Sequence, residues 1–445
     1  MRSIFGTDGI RGLANSFPIT AEVALKIGIA IGVYIKTDSS KNKKVIIAKD
    51  TRLSSDMIEY ALASGLISTG ISAILVGVMP TPSIPILIKS LQADFGVIVT
   101  ASHNPYHDNG MKLFNNDGLK INARLQKKIE NIIFKDSLES DLCSPLNLGR
   151  IKKLSSAQNK YIRHIKKSFS RDIPFSNLKV VLDCANGSSY KLAPCILNQL
   201  GIKVIKIHCK PNGLNINDKC GSVHTDTLCQ TVIKTQADIG IGLDGDSDRI
   251  VACDEYGKLI PGEYIIAIIA HYLKTKNKLK GGAVVVTKIT NRALEKYLKT
   301  IGINTLYSDI GDSKVSELML KNGINFGGEE SGHMIFSDYS YVGDGILSSL
   351  QILRIMAEEN LKISDIPHLF KMNPAIKSNI VYYHSNPLEN VKVMRDINNE
   401  MNNYNSLNIV VRKSGTEKYV RVFVEGRDKE LIRKAHDRIV KIIKS

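Results

Sequence analysis

Short apolar runs alternate with amphipathic stretches along most of the chain. Thr20 is placed to cap an amphipathic helix that runs through Ile35. Val45 to Ala48 follows as a short apolar run, read as a buried strand. Ser54-Ser55-Asp56 opens a second helix to about Ile67, Ile74 to Val78 gives another strand, and Pro80-Thr81-Pro82 turns the chain. Phe95 to Val99 is a further buried strand. Strands alternating with helices predict parallel sheets.

Three places share a brief pattern. Ala93-Asp94-Phe95-Gly96 leads into Thr100-Ala101-Ser102-His103-Asn104-Pro105. Ala237-Asp238-Ile239-Gly240 leads into Asp244-Gly245-Asp246-Ser247-Asp248-Arg249, and Asn325-Phe326-Gly327 into Gly328-Glu329-Glu330-Ser331-Gly332-His333. Each is a strand followed by a loop rich in functional groups, which predicts related units facing one cleft. Near the end the pattern changes. Ile409 to Arg412 and Tyr419 to Val424 form two strands around a tight turn, and Leu431, Ile432, Ala435, Ile439 and Ile442 keep helical spacing. The expected class is α/β: three related α/β domains with mixed or parallel sheets, plus a smaller C-terminal α+β domain, around a central cleft. Polar segments set the expected divisions at residues 1–150, 151–253, 254–367 and 368–445.

Composition changes little in this picture. The 445 residues exceed one typical core, and 43% hydrophobic with 23% charged is ordinary for a folded enzyme. No apolar run reaches the roughly 20 residues of a membrane span, and the start of the chain lacks the apolar core of a secretion signal. Seven cysteines, an odd number without a C-x-x-C pair, argue against a disulfide framework or a zinc site. A cytoplasmic protein is expected. The formal charge of +17 invites a nucleic-acid reading. The lysines are scattered, however, and no nucleic-acid signature accompanies them. Solvated surface, or steering of a small anionic substrate, remain as the two readings.

The chemistry concentrates in the loops. A serine at the carboxyl end of a strand lies where open α/β sheets place ligands. Asp244, Asp246 and Asp248 are three carboxylates at alternate positions, suited to a hard divalent cation such as Mg²⁺. Together they suggest phosphoryl transfer through a phosphoserine at Ser102. Asn109-Gly110 is expected to reverse the chain and bring Lys112 back toward Ser102. A solvated loop lysine is the alternative. Arg249 is placed either for an incoming phosphate or for a neighbouring aspartate. Glu329 and Ser331 suit vicinal sugar hydroxyls, with His333 beside them for proton transfer. Arg412-Lys413-Ser414-Gly415-Thr416-Glu417, flanked by Arg421, reads as a phosphate cradle or as a charged hairpin. Arg11, in the glycine-punctuated loop Phe5–Gly12, could clamp the transferring group. Lys49-Asp50-Thr51-Arg52 is read as support for the same face.

These segments resemble the α-D-phosphohexomutase family over essentially the whole chain. The resemblance rests on F-G-T-D-G-I-R-G at 5–12, T-A-S-H-N-P at 100–105, D-G-D-S-D-R at 244–249, G-E-E-S-G-H at 328–333 and R-K-S-G-T-E at 412–417. It implies four domains around a cleft and a catalytic phosphoserine at Ser102. It implies one Mg²⁺ held by Asp244, Asp246, Asp248 and the seryl phosphate. Glu329 and Ser331 would hold the sugar. Arg412, Ser414, Gly415, Thr416 and Arg421 would hold the phosphate that is not reacting. Arg11, Lys112 and His333 match positions around the reacting group. The segment Asn215–Ser222 resembles the bacterial subgroup that converts glucosamine 6-phosphate to glucosamine 1-phosphate. That implies a glucosamine 1,6-bisphosphate as intermediate and primer, and a product that feeds amino-sugar nucleotide synthesis. The implied partner is a small sugar phosphate, with a homodimer left open and neither nucleic acid nor membrane. Departures from the family pattern are Lys418, Val223, Glu330 and Ser313-Lys314, where Lys314 could replace a missing arginine. The rival readings are glucose or mannose phosphates as the main substrates and, from another class, a basic nucleic-acid-binding protein.

Overall fold

Phe95–Val99 is apolar without a break and buried throughout, as a strand covered on both faces requires. In the computed structural model, which describes residues 4–6, 8–37, 42–135, 137–169, 173–414 and 418–444, this segment lies inside a six-stranded sheet. Its strands are β1 (Ile10–Leu13), β2 (Lys44–Lys49), β3 (Ser72–Val78), β4 (Phe95–Val99), β5 (Asp108–Phe114) and β6 (Ile151–Lys153), in the order β1-β5-β4-β2-β3-β6. The β2–β3, β2–β4 and β3–β6 pairs are parallel, and β5 runs antiparallel to β4 and β1. Thr20 Oγ1 accepts the Val23 N–H at 3.2 Å, the expected cap on the helix Ala21–Thr37. The second helix covers Ser55–Ser68. β6 lies just past the division expected at residue 150.

A second sheet contains β7 (Lys179–Asp183), β8 (Lys203–Ile207), β9 (Ile239–Leu243), β10 (Ile250–Cys253) and β11 (Leu259–Ile260), ordered β11-β10-β9-β7-β8. A third contains β12 (Ala283–Thr287), β13 (Asn304–Ser308), β14 (Phe326–Gly328) and β15 (Met334–Phe336), ordered β13-β12-β14-β15. The repeat seen in the sequence is therefore topological. β3-β2-β4-β5, β8-β7-β9-β10 and β13-β12-β14-β15 share one plan, a central strand with two parallel neighbours and an antiparallel return. The repeated Asp or Asn has one task in all three. Asp94 accepts the Lys44 N–H (2.8 Å), Asp238 the Lys179 N–H (2.7 Å) and Asn325 the Lys280 N–H (2.8 Å). Each bond ties the repeated strand to the chain entering the central one and pairs a donor at the sheet end.

The fourth sheet is antiparallel, with β16 (Ala375–Val381), β17 (Asn408–Lys413) and β18 (Tyr419–Glu425) ordered β16-β18-β17. The helix Lys429–Lys444 covers it with Ile432, Ala435, Ile439 and Ile443. Leu431 and Ile442 pack against the same core from its margin, as their spacing predicts, and Ile443 joins them, four residues after Ile439. This is the small α+β unit the sequence predicts. Its core is its own, built from residues such as Ile397, Val420, Val422 and Ile439. The other three units are joined by apolar packing. One cluster runs from Ile98 and Phe114 through Leu182 and Ile241 to Val286 and Phe326. Among the described residues, no helix is long and apolar enough to cross a membrane.

Candidate active site

β4 delivers Ser102 to a tight turn where its φ is +52°, a left-handed conformation that a side chain rarely adopts without support. The support is buried. Arg52 Nη2 donates to the carbonyls of Ser102 (3.0 Å) and Asn104 (2.8 Å), and Asn217 Nδ2 donates to the same two oxygens at 2.9 and 3.0 Å. Asp50 in turn holds Arg52 Nε at 2.8 Å and accepts from the Thr100 hydroxyl at 2.7 Å. Asp50 and Arg52 thus buttress the serine turn, while Lys49 pairs with Asp56 and Glu59 and the Thr51 hydroxyl donates to the Asn186 carbonyl at 2.6 Å.

β9 ends in the loop Asp244–Arg249, directly against that turn. Gly245 allows the approach, since a Cβ there would stand 2.5 Å from the Ser102 carbonyl oxygen. The Ser102 hydroxyl donates to Asp244 Oδ2 at 2.7 Å. Carboxylate oxygens of Asp244, Asp246 and Asp248 lie within 4.8 Å of one another, and all three residues are buried. Lys112 Nζ sits between two of them, 2.7 Å from Asp246 and 2.8 Å from Asp248. Thr81 donates its hydroxyl to Asp246 at 2.5 Å. Asp246 Oδ1 and Asp248 Oδ1 are buried and accept no hydrogen bond. Burial and the two neighbouring carboxylates push the Asp244 carboxyl well above the usual range. Burial acts the same way on Asp248, but Lys112 and His333 hold it well below that range. Three buried carboxylates, two of whose oxygens accept no hydrogen bond among the described residues, make a donor set that fits a divalent metal ion.

Lys112 reaches this cage by a different route from the expected one. Asn109-Gly110 is not a reversal. Both residues lie inside β5, paired with Gly12 and Arg11 of β1. Gly110 is needed for close packing, because a Cβ would stand 2.4 Å from the Ile10 oxygen and 2.7 Å from that of Thr100. Lys112 therefore projects from a strand, and its partners are the aspartates opposite the serine. Burial works against its charge, but Asp246 and Asp248 push its pKa well up, so it stays an ammonium.

Above the cage opens a cleft of about 740 Å³ lined by all four units. Arg11, His103, Asp248, Arg249, Glu329, Ser331, His333, Arg412, Ser414 and Arg421 all face it. Arg11 pairs with Asp8, while its Nε is buried without a partner. Arg249 takes the second of its two readings only in part: its Nε lies 3.8 Å from Asp248, and its guanidinium also approaches His103 Nδ1 at 3.3 Å. His333 lies 3.7 Å from Asp248 and 3.4 Å from Asp312. Burial opposes its charge, and those carboxylates nevertheless raise its pKa above 6.5. Glu329 accepts the Gly311 N–H at 3.1 Å, and the Ser331 hydroxyl lies 3.4 Å from its other oxygen. Arg412 and Arg421 are direct register partners on β17 and β18. Burial and then Arg421 lower the Arg412 pKa. The Ser414 hydroxyl is buried without a hydrogen-bond partner among the described residues. Gly415 and Thr416 lie outside the described residues.

Family models for phosphoglucomutase/phosphomannomutase match in domain order. Alpha/beta/alpha domain I covers residues 2–140, domain II 159–257, domain III 261–372 and the C-terminal domain 367–442. A phosphoglucosamine mutase from Chelativorans sp. (strain BNC1) is 42% identical over 99% of this chain and 98% of its own length. The chain belongs to the α-D-phosphohexomutase family. A second phosphoglucosamine mutase, from Caulobacter vibrioides (strain NA1000 / CB15N), is 42% identical over 100% of this chain and 99% of its own. Among solved structures, a phosphoglucomutase/phosphomannomutase family protein from Burkholderia thailandensis aligns with a TM-score of 0.82 at 23% identity, covering 99% of this chain and 97% of that one. Aspergillus fumigatus N-acetylphosphoglucosamine mutase, solved in complex with GlcNAc-6P and magnesium, aligns at 0.66 and 17%, covering 99% and 95%. At these identities the two structures speak to the fold alone.

Some residues of this phosphohexomutase cleft escaped the sequence reading. His103 faces the cleft beside Ser102, and burial with Arg249 and Arg11 lowers its pKa to about 4. Its only signal was its place in the serine motif. Lys120 pairs with Asp8 and, at 2.5 Å, with Asp312. No local pattern links residues so far apart in sequence. Lys314 does not stand in for the missing arginine at the cleft. It pairs with Glu317 at 2.9 Å on the surface.

Proposed function

We propose that the protein interconverts glucosamine 6-phosphate and glucosamine 1-phosphate, through a phosphoserine at Ser102 and a glucosamine 1,6-bisphosphate that also primes the enzyme. One observation carries the reading: the Ser102 hydroxyl donates to Asp244 at 2.7 Å inside a buried three-aspartate cage, at the floor of a cleft whose far wall presents Arg412, Arg421 and Ser414. The choice of sugar is supported by the relatives named phosphoglucosamine mutase.

In the first half-reaction the free sugar hydroxyl attacks the phosphorus on Ser102. The bond from phosphorus to Ser102 Oγ breaks, a bond to the sugar oxygen forms, and the hydroxyl proton ends on Ser102. Mg²⁺ held by Asp244, Asp246, Asp248 and the seryl phosphate would offset charge on the transferring group. Lys112, kept charged by its two aspartates, and Arg11 stabilise the same charge. His333 stands beside them for proton transfer. Glu329 and Ser331 hold sugar hydroxyls. Arg412, Ser414 and Arg421, with Gly415 and Thr416, hold the phosphate that is not reacting, in either orientation of the bisphosphate. The second half-reaction returns the other phosphate to Ser102. Seven cysteines without a disulfide among them support a reducing, cytoplasmic setting.

Turnover of glucosamine, glucose and mannose 6-phosphates under identical conditions tests the substrate. The expected outcome is the highest kcat/KM for the amino sugar. An equal or higher value for glucose or mannose 6-phosphate transfers the assignment to that sugar.

A further inference from the structure

The helix Ala157–Lys166 separates its faces by chemistry. Ala157, Tyr161 and Ile165, four residues apart, are buried. Lys160, Arg163, His164 and Lys167 follow the i, i+3, i+4, i+7 spacing of an adjoining face. With Lys89 from the helix Ser83–Leu91 they line a pocket of about 480 Å³. Tyr339, Ser340 and Tyr341 from the third unit complete the lining. The pocket lies where the first three units meet, and it shares no lining residue with the catalytic cleft.

This pocket is electrostatically incomplete. Its lining has one carboxylate, Asp117, against Lys89, Lys160, Arg163 and Lys167. None of those four cations makes an ion pair among the described residues. Like charges at these helical spacings repel one another, so an anion entering the pocket would relieve them. Four cations exceed what one phosphate needs and suit two linked phosphates. His164 supplies a different contact. Its ring bonds the Tyr339 backbone and stands edge-on to the Tyr339 ring, with centroids 6.4 Å apart. Its Nε2 is buried without a partner. Burial lowers its pKa, so Nε2 is an acceptor for a ligand hydroxyl or N–H. Two tyrosine rings and an acceptor suit a nucleoside.

The third unit's part of the lining leads to the catalytic cleft. The segment holding Tyr339 and Tyr341 continues to Gly343, whose N–H donates to His333 Nε2 at 3.2 Å. A Cβ at Gly343 would stand 2.2 Å from that nitrogen, so the contact tolerates little displacement. The next residue, Asp344, accepts the Tyr161 hydroxyl at 2.8 Å, and Tyr161 belongs to the helix that carries the basic face. Both parts of the lining thus connect to the backbone that seats His333. We infer that this pocket is an effector site for a nucleoside diphosphate, which alters turnover through residues 339–344. The inference holds whichever phosphohexose is the substrate.

Calorimetry of the full-length protein with uridine and adenosine diphosphates tests it, with pyrophosphate and uridine as partial probes, alongside turnover with and without nucleotide. At least one nucleotide should bind, more tightly than either partial probe, and should change kcat or KM. The double substitution Arg163→Glu, Lys167→Glu should weaken binding by about tenfold or more and remove the effect on turnover, leaving turnover without nucleotide unchanged. Lys160→Gln should give a smaller loss of the same kind, and it serves as the reading if the double variant fails to fold. Arg412→Ala, in the catalytic cleft, should leave nucleotide binding intact. The inference is overturned if neither nucleotide binds at millimolar concentration, if Arg412→Ala abolishes binding that the helix variants keep, or if binding leaves turnover unaltered.

Discussion

The floor of the cleft and its outer wall treat charge in opposite ways. At the floor, Ser102, Asp244, Asp246, Asp248 and Lys112 are buried, and cation meets acid at 2.7 and 2.8 Å. On the wall, β17 and β18 set Arg412 and Arg421 side by side, half-buried, and the nearby Ser414 hydroxyl has no hydrogen-bond partner among the described residues. The supporting cores differ as well. The floor is built where three units share apolar packing, whereas the wall belongs to a unit with its own core. It reaches the third unit through polar contacts such as Asn408 Nδ2 to the Lys288 carbonyl at 3.0 Å. A floor that supplies its own counter-charges is fixed before substrate arrives. On the wall the two guanidiniums are direct neighbours, and burial and then Arg421 lower the Arg412 pKa, the second by a like-charge repulsion that an anion relieves, so the wall's contribution belongs to binding.

The contrast can be broken most severely at Ser102. Ser102→Ala should abolish turnover and leave the thermal midpoint nearly unchanged, and retained full activity would remove the phosphoserine from the mechanism. Next comes Lys112→Met. It strips the ammonium from a buried acidic cage, and breaking such a pair costs about 3–5 kcal/mol of stability. Denaturant unfolding in chelator should show that loss, and an unchanged midpoint would mean the cage needs no internal cation. Arg412→Ala is the counterpart on the wall. It should raise KM by about tenfold or more, the worth of a charge-assisted hydrogen bond, with kcat and unfolding midpoint little altered. A fall in stability matching that of Lys112→Met would erase the distinction. The smallest effect concerns His103, whose pKa is lowered from 6.5 to about 4. The folded state keeps this ring neutral, while the unfolded chain takes up a proton below about 6.5. Its contribution to stability is therefore full above that pH and is lost as pH falls toward 4. His103→Gln should flatten the acid side of the stability profile in that window, and parallel profiles for the two proteins would rule the effect out.

Much of this was legible in the sequence because loops after apolar strands carry their chemistry in contiguous residues. Ser102, the aspartate loop and the Glu329–His333 loop fall where the strand pattern placed them. The division into three similar units was legible for the same reason. What escaped detection was long-range pairing. Lys120 meets Asp312 across 192 residues, and Arg52 supports a turn 50 residues away, without any spacing that announces it. Asn109-Gly110 misled because the pair that permits a reversal also permits close strand packing, and only the neighbours Ile10 and Thr100 decide between them. Ile443 joins Ile442 on the packed face, because i+3 and i+4 from Ile439 both lie on that side of the helix.

The bonds from Asp94, Asp238 and Asn325 to the chain entering the central strands act as a depth gauge. Each fixes how far its strand slides along the neighbour, and so how far the following loop extends. With that offset held, the loops can diverge in content, one carrying a serine turn, one three aspartates and one Glu329 and His333, without losing their common vanishing point.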